Sequence, residues 1–363
     1  MGASTRGTCM HTELVGRAAA KGGIGAMPRG WPGAPWIGCA GPGAAGIHSN
    51  ASFVAWQGRG AGCGLVRAAR QVREGEPGLA GCGRAAGEAG ASTHAEGMDG
   101  AQELEIVVAG RSVHGVRRAG GPEAGLPLVL VHGLACSSAV YGPLLRHLAV
   151  REPGREAVAL DMPGYGGSRA GWTLDIPELA DWYAEALTVL GIERAHVVGH
   201  SMGCQVALAL ARRAPGRVAS VTLIGPTTGS EGQRLARYAV GLALDAVFES
   251  PRYNLTLLRM WSQMRLRRYF ATVPFMLRDR PIALASQVRC PVLVVRGQRD
   301  CIVPAGAVRR LVAALPEGRW VEVPAVAHAV QFDRPEQFGD LLLPFVARAE
   351  GERRDAVSDA GRR

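Results

Sequence analysis

A serine, an aspartate and a histidine stand in this chain in settings that suit nucleophilic acyl chemistry. Ser201 lies in Gly199-His200-Ser201-Met202-Gly203, a Gly-x-Ser-x-Gly pattern. The apolar run His196-Val197-Val198 precedes it and reads as the end of a buried strand, and residues 205–213 follow with helical composition and period. A strand that turns sharply into a helix through this pattern is a nucleophile elbow. Ser201 must then occupy a strained turn so that its hydroxyl stands clear of the backbone, and side chains at 199 and 203 would collide with neighbouring elements. The following helix would point its free N–H groups and positive end at the reacting centre. The plain alternative is a strand-to-helix turn with a spectator serine.

A serine hydroxyl is a poor nucleophile near pH 7 and needs a base in hydrogen-bond reach, with a third group to orient that base. His328, in Val323-Pro324-Ala325-Val326-Ala327-His328, follows the last strand of the pattern, and Asp300, in Gly297-Gln298-Arg299-Asp300, follows the strand before it. Ends of parallel strands are where such groups converge. The loop after Ile224 (Gly225-Pro226-Thr227-Thr228) holds no competing acid. A surface histidine and a turn-capping aspartate are the bland readings of the two. Asp161 and Asp175 read as structural. A tetrahedral intermediate needs two backbone N–H donors. Met202, after the serine, and Leu134, after His132-Gly133, are the candidates for this oxyanion hole, with His132 bracing the loop.

The elements that must carry these residues alternate along the chain. Residues 103–108 and 111–116 make a hairpin around Ala109-Gly110. The unalternated apolar run at 127–131 reads as a strand buried on both faces, and 156–160, 195–198, 218–224, 291–295 and 320–323 read as further strands. Helices are expected at 138–150, 175–190, 304–315 and 335–349. Asp161-Met162-Pro163-Gly164-Tyr165-Gly166-Gly167-Ser168 reads as a rigid glycine-rich loop. Strands and helices alternating at these lengths mean an α/β fold with a mostly parallel sheet and helices on both faces. Residues 228–289 break the rhythm with helical spacing and are too long for a simple connection, so they read as an inserted helical cap. The core is thus expected at 98–227 and 290–350, with a charged, frayed tail at 351–363. Tyr238, Trp261, Met264 and Phe270 in the cap are candidates for an apolar acyl pocket, and equally well for cap core.

Residues 1–97 have a different texture, with 23 glycines interleaved with alanine, arginine and proline. They can bury too little apolar surface to offset chain entropy and are expected to be disordered. The leading explanation is an over-extended gene start with Met98 as the true initiator; a genuine tail and an arginine-rich transit peptide are the alternatives. Of the eight cysteines no two form a C-x-x-C pair, so neither a zinc site nor a disulfide framework is indicated. Cys136, Cys204 and Cys301 flank the site in sequence and read as small buried residues, with thiol-sensitive activity as the sharper alternative. No apolar run approaches the roughly 18 residues of a membrane span. The net charge is +10 over 363 residues, and residues 228–289 hold ten arginines against four acids. A solvated outer face accounts for that bias; attraction of an anionic substrate or membrane surface is the functional alternative. Nucleic acid is disfavoured, because residues 264–270 form one short basic cluster without a binding motif.

From about residue 101 to 349 the chain resembles a capped α/β-hydrolase-fold protein, of the group that holds carboxylesterases, proline iminopeptidases and carbon–carbon bond hydrolases. The resemblance rests on His132-Gly133, Asp161-x-Pro163-Gly164-x-Gly166-x-Ser168, Gly199-x-Ser201-x-Gly203, Gly297-x-x-Asp300 and His328. The serine at the elbow departs from the epoxide hydrolases and haloalkane dehalogenases, which carry aspartate there. The first oxyanion loop lacks the Gly-Ser-Gly-Pro-Gly run of many carbon–carbon hydrolases. The resemblance implies a serine hydrolase acting on a modest, apolar carboxylic ester, with no cofactor, no metal and a cytoplasmic setting. Carbon–carbon hydrolysis, acyl transfer and a non-catalytic receptor on the same fold are the alternatives. Oligomeric state is left open.

Overall fold

Short runs rich in valine, leucine and alanine build the sheet that carries the site. The computed structural model describes residues 101–121, 125–168, 173–229, 235–263 and 266–360. The expectations for residues 1–97 and for Met264 therefore fall outside the described residues. The strands are β1 (Ala101–Val108), β2 (Arg111–Arg118), β3 (Leu128–Val131), β4 (Ala157–Leu160), β5 (Ala195–His200), β6 (Val218–Ile224), β7 (Val292–Gly297) and β8 (Gly318–Val323). They form one sheet in the order β1-β2-β4-β3-β5-β6-β7-β8. β1 pairs antiparallel with β2, and β2 with β4; every other pairing is parallel. Ala109 and Gly110 both have positive φ (50° and 71°), the turn that matches the twist of a two-residue hairpin.

The helices are α1 (Gly142–Arg151), α2 (Ile176–Val189), α3 (Met202–Arg213), α4 (Leu235–Phe248), α5 (Pro251–Gln263), α6 (Leu266–Arg278), α7 (Pro281–Leu284), α8 (Ala305–Ala314), α9 (Val330–Asp333) and α10 (Pro335–Ala360). Asp175 caps α2 with a reciprocal capping box: its side chain accepts from Glu178 N–H, and Glu178 accepts from Asp175 N–H. Side chains of β3 alternate between two cores. Val129 and Val131 join α2 and α3 on one face, while Leu128 and Leu130 join α1 and α10 on the other. Every residue of β3 to β7 is buried, the pattern of central strands covered on both sides. Truncating Leu128 or Leu130 to alanine would cost about 2–5 kcal/mol.

One helix exceeds the sequence expectation. α10 runs to Ala360, past the expected end at 349. Glu350 gives it a reason to continue: its carboxylate accepts from Arg155 Nη1 at 2.9 Å and Leu126 N–H at 2.8 Å, and meets His196 Nε2 at 3.0 Å. Helices α4 to α7 occupy the stretch between β6 and β7, and their contacts run to the loops at the carboxyl ends of the strands.

Candidate active site

Ser201 sits between β5 and α3 with φ 55° and ψ −118°, a conformation costly for a residue with a Cβ. Its neighbours explain why the turn can be made. A Cβ on Gly199 would lie 2.5 Å from the carbonyl oxygen of Gly203, and one on Gly203 would overlap the carbonyl oxygen of Val131. Only glycine at both positions lets α3 start this close to β3 and β5. The Ser201 N–H donates to the Ile224 carbonyl at 2.9 Å, tying the elbow to the end of β6.

Gly225, next after Ile224, brings the other two residues in. Its φ is 52°, and a Cβ there would lie 2.6 Å from His328 Nδ1 and 3.1 Å from Asp300 Oδ2. His328 Nδ1 and Asp300 Oδ2 are 2.8 Å apart. The other oxygen of Asp300 accepts from the N–H groups of Ile302 (2.9 Å) and Val303 (2.8 Å), so the carboxylate is fixed at both ends. Gly297 lets the Asp300 loop pass against the His328 loop; a Cβ there would strike the Ala327 carbonyl. His328 and Asp300 are both buried. Burial works against charge on His328, but the Asp300 carboxylate outweighs it and holds the imidazole above its usual value. His328 Nε2 is buried and makes no hydrogen bond among the described residues. The structure thus gathers Ser201, Asp300 and His328 at one edge of the sheet, with the aspartate and histidine directly bonded.

Met202 directly follows the serine, and the loop that holds Leu134 packs against it. Met202 is the first residue of α3, where the helix itself supplies no acceptor for the N–H. Gly133, just before Leu134, packs so closely that a Cβ on it would lie 2.9 Å from Ser201 Cβ. His132 holds this loop: its Nδ1 donates to the Gly133 carbonyl at 2.8 Å, and its Nε2 accepts from Met162 N–H at 2.9 Å. Burial keeps that ring neutral, which this donor–acceptor pattern requires. Asp161 is structural: it accepts from Ser138 N–H and Gly167 N–H and faces His114 Nδ1 at 2.8 Å.

The pocket expectation needs correcting. Tyr238 is buried at 5 % exposure, but Trp261 is 40 % and Phe270 is 68 % exposed, so the structure does not wall a pocket with those two. The period that turns Tyr253, Met260, Val273 and Met276 inward turns Trp261 and Phe270 outward. Met260 is the residue the sequence reading missed on this side: Ser137 Oγ lies 3.1 Å from its sulfur, beside the Leu134 loop. A small cleft lined by Pro177, Gln205, Leu208 and Arg212 includes none of Ser201, Asp300 and His328, and we place no chemistry there. Of the flanking thiols, Cys136 and Cys204 are buried, and burial pushes Cys136 up to about 12 and Cys204 well above the usual range. Cys204 donates to the Gly199 carbonyl at 3.1 Å, an elbow-packing role.

Residues 127–247 match the family described as the alpha/beta hydrolase fold. The chain is 30 % identical over 255 residues to the pimeloyl-[acyl-carrier protein] methyl ester esterase of Nitrosomonas europaea, covering 62 % of this chain and 96 % of that one. The chain belongs to the α/β-hydrolase fold family. A second member-like relative is the dihydrolipoyllysine-residue acetyltransferase component of the acetoin cleaving system of Pseudomonas putida, 33 % identical over 250 residues. That match covers 63 % of this chain and 65 % of the relative, so this hydrolase-fold chain spans just under two thirds of that protein's length. The enol-lactonase of Burkholderia xenovorans LB400 shares the fold, with a TM-score of 0.58, 20 % identity, and coverage of 67 % of this chain and 100 % of that one.

Proposed function

We propose that this α/β-hydrolase-fold chain is a serine hydrolase of carboxylic esters of modest size and apolar character. The observation that carries the reading is the buried His328–Asp300 pair at 2.8 Å, its second ring nitrogen without a hydrogen bond among the described residues, packed on Gly225, whose neighbour Ile224 accepts from the N–H of a serine on a strained elbow. In this reading His328 Nε2 takes the Ser201 hydroxyl proton as Oγ attacks the ester carbonyl. Asp300 stabilises the imidazolium so formed. The Met202 and Leu134 N–H groups hold the oxyanion, and His328 returns the proton to the departing alcohol. Water, deprotonated by the same histidine, then releases the acid and regenerates Ser201. The similarity to a methyl ester esterase supports an ester as the substrate class. Buried Tyr238 and Met260 support an apolar acyl group.

The test is hydrolysis of p-nitrophenyl esters of increasing acyl length by the full chain and its Ser201→Ala variant. The expected result is an optimum at short to medium acyl chains and loss of about 10⁴-fold or more in the variant. Equal rates in the two proteins would remove Ser201 from the mechanism. Binding of esters without turnover would favour a receptor on the same fold.

A further inference from the structure

Helix α4 is built inside out. Its inward face carries Tyr238, Gly241, Asp245 and Glu249, all buried, at the spacing of one helical stripe, with Glu249 just past the last turn. Its outward face carries Val240, Leu244, Val247 and Phe248, with Val247 at 77 % exposure. Burying two carboxyl groups while exposing four apolar side chains is unfavourable unless the acids meet specific partners. They do. Asp245 Oδ1 accepts from the Cys301 N–H at 3.1 Å, and Glu249 Oε1 accepts from the Ala329 N–H at 2.7 Å. Cys301 follows Asp300, and Ala329 follows His328. Gly241 permits the approach, since a Cβ on it would lie 2.6 Å from the Cys301 carbonyl. At the end of α4, Ser250 N–H donates to Asp333 of α9 at 3.1 Å, a second tie to the segment after His328.

We propose that Asp245 and Glu249 are positioning residues that hold the Asp300 and His328 loops in register, one carboxyl group gripping each loop. The proposal rests on the serine-hydrolase reading, because it gives the insertion a task in that mechanism: its docked state sets the distance over which Asp300 orients His328. Several ionisable groups face this pair. Asp300 and Cys301 come from the loop after β7, His328 from the loop after β8, Asp333 from α9, Tyr253 from α5 and Cys136 from the loop after β3. Arg296 is engaged with the carbonyls of Asp300 and Val303 and with Glu322, so it does not neutralise the pair. Burial, then the charge of Asp245, then Asp333 push the Glu249 carboxyl up to about 10. Glu249 is therefore neutral at neutral pH, and its Oε2 is buried and makes no hydrogen bond among the described residues. A neutral carboxyl still accepts from Ala329. Loss of the proton at high pH sets a second buried negative charge against Asp245 and loosens α4 from both loops.

Two probes test this on the full chain: p-nitrophenyl butyrate turnover, and the rate at which a fluorophosphonate modifies Ser201. Glu249→Leu removes the Ala329 bond, and a misplaced base costs about 10- to 100-fold in kcat with KM changed far less. Glu249→Gln keeps a neutral acceptor and restores most of that loss. The wild-type rate falls as pH rises toward 10, and the Glu249→Gln profile lacks that fall. A folded Glu249→Leu protein with wild-type kcat and phosphonylation rate overturns the proposal. So does a Glu249→Gln profile identical to wild type at high pH. Failure of the hydrolase reading looks different: Ser201→Ala then keeps its activity, or wild type itself reacts with neither probe, whatever the substitutions at 249 do.

Discussion

Replacing Asp300 by asparagine separates the orienting role of this residue from its structural one. Oδ1 accepts from the N–H groups of Ile302 and Val303 at 2.9 and 2.8 Å, and Oδ2 faces His328 Nδ1 at 2.8 Å. An asparagine carbonyl oxygen keeps both loop bonds, so the stability lost is about 1–2 kcal/mol. The amide nitrogen then faces Nδ1. It can only donate, so Nδ1 must accept, and the ring proton moves to Nε2. That is the nitrogen that has to take the proton from Ser201. Substitutions that impose the wrong tautomer cost about 10⁴-fold in kcat, or about 5.5 kcal/mol of barrier. The assay pairs p-nitrophenyl butyrate turnover with thermal unfolding of both proteins. The expected outcome is a variant that melts within a few degrees of wild type and has almost no turnover. A variant that keeps a tenth or more of wild-type kcat would refute the reasoning. It would shift attention to Asp245, the other buried acid whose charge acts on His328.

Other consequences are smaller and equally checkable. Gly225→Ala puts a Cβ 2.6 Å from His328 Nδ1 at a φ of 52°; it should lower turnover about 100-fold while unfolding shifts by only about 1–2 kcal/mol, and turnover within twofold of wild type would show that His328 is not held there. Glu350 sits at about 2, because His196, Arg155 and the Leu126 N–H together exceed the upward push of burial. A carboxyl held below its unfolded value contributes stability above pH 4.5 and loses it as pH falls toward 2. Glu350→Gln should therefore be about 1–2 kcal/mol less stable than wild type in urea at pH 7, solvent screening of this partly exposed group taking up the rest of the shift, with the gap narrowing toward pH 3; a gap that does not change with pH would contradict the ion-pair account. Iodoacetamide at pH 8 should spare the buried, weakly acidic Cys136 and Cys204 and label the partly exposed Cys301 without loss of turnover. Inactivation that tracks modification of Cys136 would revive the thiol-sensitive site.

The parts of this molecule readable in advance were those with local signatures. The run into Gly199-x-Ser201-x-Gly203 announces a strand, a turn and a helix within a dozen residues, and β5 and α3 follow it. Asp300 and His328 were legible because each closes an apolar strand, and parallel strands deliver their ends to one edge. The helical insertion was legible as helices but not in its facing. α4 carries apolar residues on both sides, so periodicity cannot say that Tyr238 turns in while Val247 turns out. Trp261 and Phe270, on α5 and α6, face outward although they stand beside inward residues such as Met260 in the sequence. Asp245 and Glu249 entered the sequence reading only as charges in a sum, because their partners are the backbone N–H groups of Cys301 and Ala329, about 56 and 80 residues away along the chain. Such contacts have no local pattern. Glu350 was missed for the same reason, its partners lying on β5 and on the loops around β3 and β4.

The central claim is that Ser201 is a nucleophile activated by His328. A fluorophosphonate forms a stable bond only with a serine so activated, which makes the site of reaction the most direct measurement. The full chain, its Ser201→Ala variant and its His328→Gln variant would be treated alike, digested and mapped by mass spectrometry. One adduct is expected, on the peptide holding Ser201, absent from Ser201→Ala and formed far more slowly in His328→Gln. A wild-type protein that is folded yet leaves Ser201 unmodified, or an adduct that forms at the same rate without His328, would contradict it.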